Sequence, residues 1–95
     1  MSRFDGKVAI ITGSASGIGK EIALRYAAEG GTPVIADLNL DAADATARDI
    51  KATGADAFAV AMNVVDEAAV EKAVAATMTK YGRIDLLVSR SAARQ

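Results

Sequence analysis

The 95-residue sequence contains no cysteine and no histidine. Without cysteine it can build neither a disulfide framework nor a thiolate zinc site. Without histidine it has no Ser-His-Asp or Cys-His nucleophile and no imidazole metal site, so no metal is expected. Aromatic residues make up 4% of the chain and tryptophan is absent, too few for base stacking. Neither charge dominates, with 11 basic against 12 acidic residues. No basic patch is available to neutralise a phosphate backbone, and nucleic acid is not an expected partner. Long hydrophobic runs are missing too. The stretch from Met1 to Lys7 has no apolar core of the signal-peptide kind, and no segment approaches the roughly 20 apolar residues that span a bilayer. A soluble, cytoplasmic chain with no membrane partner is expected.

What the chain has in quantity is small apolar side chains. Hydrophobic residues are 52% of the sequence, many of them alanine. The length allows one small domain, and a domain of this size buries only about 60% of its unfolded surface, so its stability is expected to be marginal.

Two kinds of segment alternate. Short apolar, β-rich runs stand at Val8–Thr12, Val34–Ala36, Ala57–Met62 and Ile84–Val88. Near-continuous apolar strands of this kind suit a parallel sheet covered on both faces. Between them the spacing is helical: Ile18, Ile22, Ala23 and Tyr26 share one face, as do Ala69, Val70, Ala73, Val74 and Met78. The stretch from Asp41 to Thr53 is an alanine-rich helix with little apolar sidedness. Asp41 and Asp66 stand where N-caps are wanted, and Gly30, Gly54 and Gly82 where helices should end. Pro33 opens the second strand, the position where a missing donor is tolerated. The order β-α-β-α-β-α-β predicts an α/β, three-layer Rossmann-type fold, with a partial parallel sheet of strand order 3-2-1-4. The first two helices then lie on one face and the third lies alone on the other. One helix cannot cover four strands, and the fourth strand is a bare edge.

The strongest chemical signal is Thr12-Gly13-Ser14-Ala15-Ser16-Gly17-Ile18-Gly19, directly after the first strand and opening the first helix. Gly13 allows a sharp turn, Gly17 lets backbone approach a pyrophosphate, and Gly19 lets the helix pack closely on the sheet. The N–H groups at the helix start face the anion, and Ser14 and Ser16 can add hydroxyl donors. The spacing is G-x-x-x-G-x-G. It is not a Walker A loop, although Gly19-Lys20 imitates the end of one, because Ser14 and Glu21 replace the Gly and the Ser or Thr which that motif needs. A glycine-rich turn without a ligand is the plain alternative. Asp37, at the end of the second strand, offers a carboxylate to the adenosine ribose hydroxyls and repels a 2′-phosphate, and Leu38 supplies no compensating charge. Together they point to NAD rather than NADP. Taken singly, Asp37 reads equally as a solvated strand-end carboxylate.

Gly6-Lys7-Val8-Ala9-Ile10-Ile11-Thr12-Gly13, the glycine loop, Ile35-Ala36-Asp37-Leu38 and Tyr81-Gly82-Arg83-Ile84-Asp85 resemble the short-chain dehydrogenase/reductase family over about Phe4 to Val88. Within it, Ile35-Ala36-Asp37-Leu38-Asn39 and Leu87-Val88-Ser89 are most similar to bacterial 3-hydroxybutyrate dehydrogenases. The resemblance implies that residues 1–95 are the N-terminal half of an NAD-binding Rossmann-type domain, family-like to about residue 88 with a divergent tail over 89–95. It also implies an oxidoreductase acting on a CH–OH group, with NAD(H) as partner, and a homo-oligomer. A small hydroxy or keto substrate is implied only where a catalytic half is present.

Two departures stand out. The family carries Asp-Val after the third strand, where the carboxylate accepts from the adenine amino group. Here Asn63-Val64 stands, whose amide oxygen can accept the same bond or can simply cap the loop. After the fourth strand the family carries Asn-Asn-Ala-Gly or Ser-Asn-Ala-Gly, whereas this sequence reads Ser89-Arg90-Ser91-Ala92-Ala93-Arg94-Gln95. A frameshift or premature stop after Val88 would account for that tail. The family's catalytic tyrosine is followed four residues later by a lysine. Tyr26 and Tyr81 are followed by Gly30 and Asp85, so both read as packing residues and no catalytic residue is assigned. The cofactor-binding candidates are Gly13, Ser14, Ser16, Gly17, Ile18, Gly19, Asp37, Leu38, Asn63 and Val64. The expected chain is a truncated NAD-binding half, inactive alone. The alternatives are a non-catalytic dinucleotide-binding module and a self-associating interaction protein.

Overall fold

The structure is a computed structural model and describes residues 5–15, 17–63 and 65–88. Along the chain come β1 (Val8–Thr12), α1 (Gly17–Ala28), β2 (Thr32–Asp37), α2 (Leu40–Lys51), β3 (Phe58–Ala61), α3 (Glu67–Tyr81) and β4 (Leu86–Val88). The strands pair in parallel in the order β3-β2-β1-β4, as right-handed crossovers require.

β2 is longer than its apolar run, and Pro33 stands second in it rather than first. The Thr32 N–H donates to the Lys7 carbonyl at 2.9 Å. By strand alternation the Pro33 nitrogen therefore faces β3, whose pairing with β2 begins only at Val34 and Phe58. The missing donor falls where there is no ladder to join.

The pleat divides the core into two clusters. Ala9, Ile11 and Ile35 pack with Ala23, Tyr26 and Ala27 of α1 and Ala43, Ala47 and Ile50 of α2. Val8, Ile10, Val34, Ala36 and Val60 face the other way, with Ala73 of α3. The third helix thus stands alone on its side, as expected. It nonetheless suffices for β1 and β2. Exposure falls on the two outer strands: Ala61 of β3 is exposed, and in β4 Leu87, on the α3 side, and Leu86, on the opposite face, are 51% and 49% exposed.

The face of α1 is rotated from the expected one. Gly19, Ala23, Tyr26 and Ala27 are buried, whereas Ile18 and Ile22 are exposed. Gly19 causes this. A Cβ there would overlap the Gly13 carbonyl oxygen, so the helix leans on the strand along its smallest residues and the isoleucines turn to the flank.

The alanine-rich α2 is more two-sided than its composition suggested. Ala43, Thr46, Ala47 and Ile50 form one buried stripe at helical spacing. Its N-cap is Asn39, whose Oδ1 accepts from the Ala42 N–H at 3.1 Å, while Asp41 sits inside the first turn. Asp66 does cap α3, accepting from Ala68 and Ala69, and Gly82 ends that helix in the left-handed conformation at φ 76°. Within α3, Thr77 is fully buried because its hydroxyl donates to the Ala73 carbonyl at 2.9 Å, while Met78 is exposed.

Candidate functional site

Parallel strands deliver their following loops to one end of the sheet, the end where open α/β folds bind ligands. The glycine-rich turn after β1, Asp37 closing β2 with Leu38 behind it, and Asn63 after β3 come to that end. Gly13 and Gly17 adopt φ of 67° and 62°, values that only glycine takes without strain. At Gly17 no atom lies within 4 Å of where a Cβ would stand, so the backbone surface is open. Gly19 has the opposite role and closes the helix onto the turn.

The turn is tied down residue by residue. The Gly13 and Ser14 N–H groups both donate to the Ala36 carbonyl, at 2.7 and 3.4 Å. The Ala15 N–H donates to Asp37 Oδ2 at 3.2 Å, and Asp37 Oδ1 accepts from the Asn39 N–H at 3.2 Å. The Thr46 hydroxyl donates to the Ala15 carbonyl at 3.1 Å. Ser14, expected to offer its hydroxyl to a phosphate, does not. It is fully buried inside the turn and donates to the Ile11 carbonyl at 2.6 Å, which satisfies an acceptor at the strand end. Donors for an anion are left at the start of α1, whose first N–H groups have no intrahelical partner.

Ile18 and Leu38 are 62% and 73% exposed. Asn63 caps a loop: its Oδ1 accepts from the Val65 N–H at 3.1 Å, and its carbonyl accepts from the Asp66 N–H at 3.0 Å. An amide oxygen has a second lone pair, so the cap does not consume its acceptor capacity. Ser16 and Val64 lie outside the described residues. Lys20, the imitation of a P-loop lysine, lies 3.5 Å from Asp49 on α2.

Thr46 is the site residue that pattern reading passed over. Its signal was a hydroxyl residue on a buried stripe whose other members, Ala43, Ala47 and Ile50, are apolar.

The two tyrosines pack. Tyr26 is 8% exposed, and burial, reinforced by the Asp85 carboxylate, pushes its phenol up. Burial and the Asp56 carboxylate push Tyr81 up as well, and its ring meets Phe58 edge-on at 6.2 Å. Both shifts run against the lowered pKa that proton transfer near neutral pH requires. A groove of about 610 Å³ lies at the other end of the sheet, among Leu24, Ala28, Gly31, Thr32, Ile50 and Gly54. It is remote from the strand ends that carry the glycine turn and has no part in the site. Among the described residues there is no cluster of metal-ligating side chains, and no helix is long and apolar enough to cross a membrane.

The short chain dehydrogenase family profile matches residues 7–94. A sorbitol dehydrogenase of Cereibacter sphaeroides is 48% identical over 90 residues, 95% of this chain and 34% of that protein. A 2-dehydro-3-deoxy-L-rhamnonate dehydrogenase (NAD(+)) of Sphingomonas sp. is 44% identical over 86 residues, 90% of this chain and 33% of its own length. A crystal structure of hydroxysteroid dehydrogenase from Escherichia coli superposes with a TM-score of 0.86 at 40% identity, covering 90% of this chain and 35% of that one. The chain therefore spans about a third of the length of the curated relatives it matches. These relatives are named for diverse substrates, and the narrower likeness to 3-hydroxybutyrate dehydrogenases does not emerge from them. A profile match over nearly the whole chain, close relatives and a superposable crystal structure agree: the chain belongs to the short chain dehydrogenase family.

Proposed function

We propose that residues 1–95 supply the dinucleotide-binding half of an NAD-dependent oxidoreductase acting on a CH–OH group. The observation that carries this is Asp37, whose carboxylate closes β2 and lies within hydrogen-bonding reach of the glycine turn, 3.2 Å from the Ala15 nitrogen. Each of its oxygens holds one backbone N–H. An ionised carboxylate has about four acceptor positions, which leaves room for ribose hydroxyls. A 2′-phosphate at the same place would meet a like charge with Leu38 beside it. The open backbone at Gly17 and the N–H groups opening α1 suit a pyrophosphate. Ile18 and Leu38 present apolar surface beside them, and Asn63 keeps an acceptor for the adenine amino group. When bound, NAD supplies the acceptor for a hydride from the carbinol carbon. This chain's residues bind and orient that cofactor. The family's tyrosine, lysine and serine have no counterpart assigned among them.

The cofactor named for the Sphingomonas relative supports NAD. Among substrates, the Ile35–Asn39 and Leu87–Ser89 stretches put a short 3-hydroxy acid first for assay, beside the sugar alcohol and hydroxysteroid classes named for the relatives.

Calorimetric titration with NAD and with NADP tests the reading. NAD is expected to bind, with NADP weaker by about tenfold or more, since one uncompensated charge contact near a protein surface is worth at least ~1.4 kcal/mol. Equal or tighter NADP binding overturns the cofactor choice. Binding of neither overturns the site.

A further inference from the structure

We propose that Thr46 is a positioning residue for the cofactor turn. With Asp37 it grips Ala15 by both of its backbone groups and fixes the direction of the α1 N-terminus before any ligand arrives. This rests on the dinucleotide-binding reading above.

A threonine within a helix ordinarily returns its hydroxyl to a carbonyl one turn earlier, and Thr77 does so, donating to Ala73 at 2.9 Å. Thr46 does otherwise. It is 1% exposed, it lies between Ala43 and Ala47 on the buried stripe of α2, and its hydroxyl reaches across the fold to Ala15, 31 positions earlier, at 3.1 Å. The N–H of that same residue is held by Asp37 at 3.2 Å. Ala15 is thus spanned between the end of β2 and the middle of α2.

The turn has little slack left. The N–H groups of Gly13 and Ser14 are taken by Ala36 and that of Ala15 by Asp37, so these three are not the donors for an anion. The donors are those opening α1, and the turn sets where they point. A turn fixed in advance spares the ordering entropy that binding would otherwise have to supply. The hydroxyl of Thr46 therefore acts on affinity through Ala15, without contact to the cofactor.

Thr46→Val keeps the shape and removes the hydroxyl, and Thr46→Ser keeps the hydroxyl. In the 95-residue chain, Ala15 amide exchange followed by NMR without ligand, the thermal midpoint, and the NAD dissociation constant separate the outcomes. Losing one net hydrogen bond should speed Ala15 exchange and weaken NAD binding by about threefold to tenfold in Thr46→Val. Thr46→Ser should stay near the parent in both. Unchanged Ala15 exchange in Thr46→Val overturns the proposal. So does faster exchange with unchanged NAD affinity, or a fall in affinity that Thr46→Ser does not rescue. Faster exchange in a protein that binds no NAD in any variant upholds the grip on Ala15 and overturns the dinucleotide reading alone.

Discussion

β1 and β4 are neighbours in the sheet, both apolar along their shared register, and their fates differ. All five residues of β1 are buried, while two of the three in β4 are exposed. Ile10 and Leu87 face each other across the ladder, yet Ile10 is fully buried and Leu87 is 51% exposed. The difference lies in the neighbours. β1 has β2 and β4 on its two sides and helices above and below. β4 has β1 alone for a strand partner among the described residues. An apolar strand declares that both its faces can be buried; only the surrounding elements decide whether they are.

That contrast can be broken by mutation, and the largest effect belongs to β1. Ile10→Ala should cost about 3–4 kcal/mol in chemical denaturation, the usual toll of a cavity under a fully buried branched side chain. Leu87→Ala, at the partner position, should cost about 1 kcal/mol, because roughly half of its surface already meets water. Equal costs would mean that β4 is covered in solution. Leu87→Lys addresses that directly. A charge on an edge strand discourages strand addition, so any self-association through β4, read by sedimentation, should shrink while the fold persists. An assembly unmoved by the lysine joins elsewhere.

The smallest expected effect is at the entry to the β1–β4 pair. The Asp85 carboxylate accepts from the Val8 N–H at 2.8 Å and from Arg83 at 2.8 and 2.6 Å. The hydrogen bond from Arg83, then that from Val8, holds its pKa below the ordinary 3.8. A depressed carboxylate contributes stability that is present above the ordinary value and lost as pH falls through the folded one. The Val8 amide resonance should therefore move with the Asp85 titration below pH 3.8, and Asp85→Asn should abolish the movement. A Val8 resonance indifferent to acid would sever this bond from the pairing of β1 with β4.

Much of the fold was legible because crossover handedness and apolar runs leave few arrangements open. The strand order and the split of helices between faces follow from those two rules. Finer placement was not legible where one close contact overrides periodicity. Ile18 and Ile22 have helical spacing, but Gly19 decides which side of α1 touches the sheet. Asp41 is a good cap residue, yet Asn39 stands two positions earlier and takes the role. At the site, the sequence shows which groups are chemically able to bind and not which are already spent. Ser14 has a donor and uses it on Ile11. Thr46 looks like one more residue of an alanine-rich helix until its partner in the turn is seen.

On the NAD-binding reading proposed above, the bond from Ala15 to Asp37 bears on any redesign of cofactor preference. Replacing that aspartate to admit a phosphorylated dinucleotide makes two edits with one codon: it changes what the pocket attracts, and it withdraws one of the two struts beneath the turn. A redesign confined to charge will therefore carry a loss of affinity for either dinucleotide, and the remedy is a new acceptor for the Ala15 N–H rather than more positive charge.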